Sequence, residues 1–206
     1  MALSAIFLMI FLLQHFIINV TSVFSMNLFN SLSHFMGTNI LVQFVLQPIL
    51  ILGVMFHFLM GFVLEYENRG AREFKYNKNM DCANSTWMSR NMMWSGLVIL
   101  SFLILHFLDF WLPEIKYKYV ELLPEDPDRY YHELKHKFEN PLRVGFYCMS
   151  FILLALHLLH GFTSSMKSLG TNKKYVNSIK TVSYLYGIGI PFGFCMIAIF
   201  HYLNHS

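Results

Sequence analysis

The chain has 206 residues, of which 55% are hydrophobic, 17% aromatic and 13% charged, with a formal net charge of +3. Its first charged side chain is Glu65, and residues 91–108, 144–166 and 181–206 also lack Asp, Glu, Lys and Arg. A soluble domain carries charge all round, at about a quarter of its residues, and a nucleic-acid binder needs a continuous basic face; neither describes this chain, and no nucleic-acid partner is expected.

The pattern is that of an all-α, polytopic membrane protein, read as one domain over 1–206. A helix needs about 20 apolar residues to cross the bilayer core, and backbone groups in lipid must be satisfied within the segment. Five spans are predicted. The first covers 2–24 and ends in a polar stretch from Asn27 to Asn39, where the uncharged run must turn. The second covers 41–64, with Pro48 in its early turns. The third covers 91–112 and is expected to stop at Pro113. The fourth covers 142–166, with Pro141 in a helix-starting position. The fifth covers 181–203, with a kink expected at Pro191.

Five spans put the termini on opposite sides. The 65–90 and 167–180 loops hold nine Lys/Arg together, against six in 113–143. The positive-inside rule therefore predicts a cytoplasmic N-terminus and a periplasmic C-terminus. Trp87, Trp94 and Trp111 sit near span ends, as an interfacial belt would. Cys82, Cys148 and Cys195 form no CxxC, so neither a zinc knuckle nor covalent haem attachment is signalled. No basic segment precedes the first apolar run, so a cleaved signal peptide is not expected.

Four of the ten histidines lie within spans, one per helix: His15, His57, His106 and His157. At 1.5 Å per residue, His57 and His157 lie about 12 and 15 Å from the cytoplasmic edge, and His15 and His106 about 21 and 24 Å. Depth alone thus sorts them into an inner and an outer pair. Two facing imidazoles inside a helix bundle can ligate one haem iron axially, so two layers predict two haems. His57 and His157 both stand in an H-x-L-x-G-F pattern, with Gly61 and Gly161 one turn on. Those glycines lie on the histidine's own face and leave room for a flat macrocycle, or are plain helix-contact residues. His160 is the rival ligand to His157. His34, His132, His136, His201 and His205 lie in loops or near span ends, where solvated or interfacial roles are expected. Arg90, with Ser89 beside it, and Arg143 begin spans; they are candidates for a haem propionate, or snorkelling residues.

At these residues the chain resembles a known family. The matching stretches are Met1-Ala2-Leu3-Ser4, Phe11-Leu12-Leu13-Gln14-His15, Ser89-Arg90-Asn91, Leu105-His106-Phe107-Leu108-Asp109-Phe110-Trp111, Leu156-His157-Leu158-Leu159-His160-Gly161-Phe162 and Ser168-Leu169-Gly170. In their order and spacing they resemble the di-haem cytochrome b anchor of succinate dehydrogenase/fumarate reductase, in the single-subunit, five-helix form of Bacteroidetes-type bacteria. The resemblance implies an inner haem b on His57 and His157 and an outer one on His15 and His106. It implies partner subunits: a flavoprotein with covalent FAD and an iron–sulfur subunit on the cytoplasmic face. It implies electron transfer between succinate and a quinone, menaquinone by expectation, at a site near the outer haem. Gln14, Asn19, His34 and Asp109 are the polar groups near that end. Membrane lipid completes the surroundings, a higher oligomer of the complex is compatible, and the location implied is the bacterial inner membrane, in the tricarboxylic acid cycle.

Two features depart from the family. Members carry a short basic segment before the Met1-Ala2-Leu3 stretch, and some carry a Glu for proton transfer where this chain has Ala155. The subunit itself carries no dinucleotide fingerprint and no cluster-binding cysteine set, so chemistry on the dicarboxylate belongs to the partners. Alternatives from the residues alone are a haem b subunit of another respiratory complex and a histidine-relay transporter without haem.

Overall fold

The computed structural model describes residues 1–70 and 92–204. Among these the chain is predominantly helical, without strands, and five helical stretches are long and apolar enough to cross a membrane: Ala2–Phe24, Val42–Glu67, Met92–Val120, Pro141–Ser168 and Val176–Leu203. It is a polytopic membrane bundle. Many of the large apolar side chains on the spans are exposed, as lipid-facing surfaces require.

Helix α1 (Ala2–Phe24) stops at Ser25, whose extended backbone also starts α2 (Met26–Thr38) and whose hydroxyl accepts the Leu28 N–H. The polar stretch expected as a turn is therefore a helix, and the chain turns on either side of it, at Ser25 and Asn39. Its polar residues serve as caps and ties. Asn39 Oδ1 accepts the N–H groups of Leu41 and Val42. Asn30, fully buried, donates to Asp128 O (3.0 Å) and accepts from the Tyr131 N–H (2.8 Å).

Span two opens with a π turn, Val42–Leu46, that leads into α3 (Gln47–Gly70). Span three combines α4 (Met92–His106), a π turn at Phe107–Trp111, the short α5 (Leu112–Ile115) and a second π turn at Lys116–Val120. Pro113 does not end it. A proline within a helix removes one donor and crowds the carbonyl four residues back. Here the residue just before Pro113, Leu112, bonds the carbonyl of Phe107 five residues back, which widens the helix at the proline. Span two uses the same device, since Gln47 bonds Val42 O immediately before Pro48.

The short α6 (Arg129–Lys137) follows, then α7 (Pro141–Ser168), capped by the Asn140 side chain on the Leu142 and Arg143 N–H groups. Gly170, at φ +75°, takes the left-handed conformation that ends α7. Helix α8 (Val176–Leu203) starts five residues before the expected boundary and continues through the buried Pro191.

Helices α2 and α6 cap one end of the bundle. There Glu114 receives Lys118 and Arg129, Lys118 also reaches Gly37 O, and the Arg129 guanidinium lies over the rings of Tyr117 (4.1 Å) and Tyr130 (4.4 Å). Burial and the Glu114 carboxylate push the Tyr130 phenol up to about 12. The main core lies toward this capped end, around Phe29, Leu134, Phe138, Tyr147, Phe151, Phe194 and Ile197.

Candidate functional site

Each of four spans carries one mid-helix histidine, and the bundle brings them together as two pairs. The His57 and His157 rings lie 6.3 Å apart between centroids, with planes at 69°. The His15 and His106 rings lie 5.7 Å apart at 89°, nearer the capped end. These are the partners that depth along the helices also selects.

Serines flank the His57/His157 pair. Ser4 Oγ lies 3.2 Å from His57 Nδ1, and Ser95 Oγ lies 3.3 Å from His157 Nδ1. Gly96 faces His157, since a Cβ there would meet only the imidazole, at 4.0 Å. Beside Gly61 and Gly161 a Cβ would meet only a methionine terminus, of Met1 (3.8 Å) and Met92 (3.6 Å) respectively. The faces one turn beyond both histidines are therefore lined by flexible, polarizable chain ends that adapt to what packs there.

Aromatic rings box the His15/His106 pair. Phe11 stacks on His15 at 5.6 Å and Phe102 on His106 at 5.8 Å, with Phe110 at 5.1 Å from His106 and Phe194 at 5.7 Å from His15. His106 Nδ1 is buried in this box without a hydrogen-bond partner. An orphaned buried nitrogen is uncommon in a folded protein, and a water, a ligand or an ion can satisfy it. One turn on, Asp109 is 5% exposed, accepts the Tyr147 hydroxyl (2.9 Å) and pairs with Arg143 Nε (3.2 Å) and, more loosely, Lys137 Nζ (3.9 Å).

Arg143 is engaged by Asp109 and stays about a third exposed at the side chain. Ser89 and Arg90 lie outside the described residues. His160 makes no ring contact with another histidine among the described residues. His201, expected at an interface, is buried at 1% exposure and shares a hydrogen bond of 2.9 Å with Ser22. The correction has a simple cause: α1 and α8 pack side by side there, and Tyr131 from the cap covers the imidazole at 5.5 Å. Of the polar groups near the capped end, Gln14 contacts Met36 Sδ, Asn19 bonds back to His15 O, and His34 lies 3.9 Å from Glu125. A cleft of about 210 Å³ opens at the same end, lined by Phe44, Pro48, Trp111, Gln43, Gln47 and Lys118 among others.

Sequence reasoning missed Ser4, Ser95 and Gly96. A signal was present: Ser4 precedes His15, and Ser95 precedes His106, by the same eleven residues.

The donor set fits haem. No group of three or more His, Cys, Asp or Glu converges among the described residues, so a bare metal ion would find only two imidazoles in either pair. A metal already held equatorially by a macrocycle needs only those two. Metal–imidazole bonds of about 2 Å on opposite sides of one ion place ring centroids about 6 Å apart, close to both observed pairs. No family model, curated protein or solved structure matches the chain.

Proposed function

We propose that this chain is the membrane-anchoring cytochrome b subunit of a succinate dehydrogenase/fumarate reductase. It would conduct electrons through two bis-histidine haems b between an iron–sulfur subunit and a membrane quinone. The observation that carries the reading is the pair of imidazole couples at two levels of one bundle, built from four separate spans. The choice among haem b subunits rests on the motif resemblance around those histidines.

His57 and His157 would hold the inner haem, and His15 and His106 the outer one. Each bound haem supplies a one-electron iron couple within the membrane. The residues around them do the rest. Phe11, Phe102, Phe110 and Phe194 keep water from the outer pair. Gly61, Gly96 and Gly161 keep side chains off the inner one. Ser89 and Arg90 remain candidates for an inner propionate. Arg143, with Asp109 as its counter-ion, is the candidate cation at the outer level. The cleft between the ends of spans two and three has the mixed lining a quinone headgroup needs, flat apolar walls with amide and ammonium donors. Menaquinone is the expected occupant. The basic 65–90 and 167–180 loops would face the cytoplasm and dock the iron–sulfur subunit, with the FAD-bearing flavoprotein beyond it, at the bacterial inner membrane.

The test is a reduced-minus-oxidised spectrum with a haem assay on the purified chain. About two low-spin haems b per chain are expected. His57→Ala and His157→Ala should each remove one and the same haem, and His15→Ala and His106→Ala the other. Well-folded protein without haem would sink the reading and favour a histidine relay. Haem with hydrogenase or formate dehydrogenase subunits co-purifying would move the chain to another respiratory complex.

A further inference from the structure

The two serines beside the inner histidines repeat one arrangement on two helices. Ser4 on α1 lies 2.8 Å from Met1 O as well as 3.2 Å from His57 Nδ1. Ser95 on α4 lies 2.8 Å from Met92 O and 3.3 Å from His157 Nδ1. A hydroxyl has one proton, and a backbone carbonyl can only accept. With the serine proton on the carbonyl three residues back, the serine oxygen is left as an acceptor. The group that meets it then donates, which puts the imidazole proton on Nδ1.

The consequence lies across the ring. In a neutral imidazole with Nδ1–H, Nε2 is a bare lone pair. His57 and His157 therefore each offer one unprotonated nitrogen, 6.3 Å between ring centroids. Two such lone pairs suit a Lewis acid between them and no hydrogen bond with each other. The placement is systematic. Eleven residues are about 20° past three helical turns and about 16 Å of rise. Ser4 thus stands on the same face of α1 as His15, one layer down, and Ser95 on the same face of α4 as His106. Spans one and three each carry an outer-level histidine and an inner-level serine, and the serines serve the histidines of spans two and four.

We infer that Ser4 and Ser95 are positioning residues for the inner haem, fixing the Nδ1–H tautomer of its two axial histidines and raising their basicity. Partners of this kind orient a ligating imidazole and strengthen it as a donor. The inference rests on the haem reading above. More basic axial ligands favour ferric iron, so the serines should hold the inner haem at a lower midpoint potential than it would otherwise have.

The experiment is a redox titration and a haem-retention assay on the intact protein carrying Ser4→Ala, Ser95→Ala or both, with Ser4→Thr and Ser95→Thr as conservative controls. The inner haem is identified by its loss in His57→Ala. Each alanine variant should raise the midpoint of the inner haem and weaken its binding about 10- to 100-fold, and the outer haem serves as the internal control for folding. The threonine variants should keep wild-type values, because the hydroxyl is retained. An inner-haem midpoint and retention unchanged in both alanine variants would overturn the inference and leave the haem assignment standing. So would equal changes at both haems. Wild-type protein without haem would remove the function reading and this inference together.

Discussion

Asp109 shows what a single residue does inside this bundle. A carboxylate at 5% exposure in an apolar span is tolerable only when partnered. Its partners are the Tyr147 hydroxyl and the Arg143 guanidinium, with Lys137 further off. Hydrogen bonds to charged groups contribute about 1.5–3 kcal/mol each. Asp109→Asn should therefore destabilise the protein by about 2 kcal/mol or more in a detergent denaturation series, because Arg143 loses its counter-charge. Tyr147→Phe should cost less, since Asp109 keeps its cations. An asparagine variant as stable as wild type would show that the pair contributes nothing. The motif around His106 made Asp109 visible in the sequence as a polar group near the capped end, but not its role. Arg143 comes 34 positions later, and only the packing of α7 against span three makes the two neighbours. His201 is buried for the same kind of reason: position along a span shows nearness to an end, not which way a ring turns.

At the scale of elements, the prolines and glycines divide the work. Pro48 and Pro113 sit just after π turns, so both spans pass them without a break. The rule that proline stops a helix gave a boundary at Pro113 that the structure moves to Val120. Gly193 on α8 shows the opposite use, as a missing side chain. A Cβ there would run into the Phe16 ring edge, and Phe16 is itself packed on Phe194 at 5.3 Å. Overpacking of this kind costs about 1–3 kcal/mol. Gly193→Ala should lower thermal stability by that amount, and adding Phe16→Ala should recover part of it in a double-mutant cycle. Additive losses would mean the two residues do not meet. The helical character of 26–38 was hidden because Asn and Ser are read as turn formers, whereas here Ser25 and Asn39 cap helices and Asn30 ties α2 to the segment entering α6.

For the whole molecule, a single crossing by Pro141–Ser168 places the connection at 169–175 and the cap at 121–140 on opposite sides of the bilayer. With the native cysteines replaced, Asn172→Cys and Asp126→Cys should react with an impermeant maleimide from opposite faces, Asn172→Cys from the cytoplasm by the Lys/Arg bias. Labelling of both from one side would refute the five-span topology. The capped end is tied down by Glu114, Lys118, Arg129 and the Asn30 bonds. Span two is the least enclosed of the five, with none of its most apolar stretch buried. It is also the span that carries His57, so the inner pair depends on a helix held mainly along one flank.

The five spans and the two levels of histidine were legible in the amino-acid sequence by itself. Charge is expensive in lipid, so the charge-free lengths mark the membrane, and a fixed rise per residue turns position into depth. Rotation about each helix axis was not legible. A span that is apolar on every side has no stripe to say which face turns inward. Only the tertiary structure decided that the rings of each level turn inward to face one another, that Ser4 and Ser95 reach the inner-level imidazoles, and that Arg143 turns to Asp109. Those contacts depend on side-chain fit between helices distant in sequence, which hydropathy does not encode.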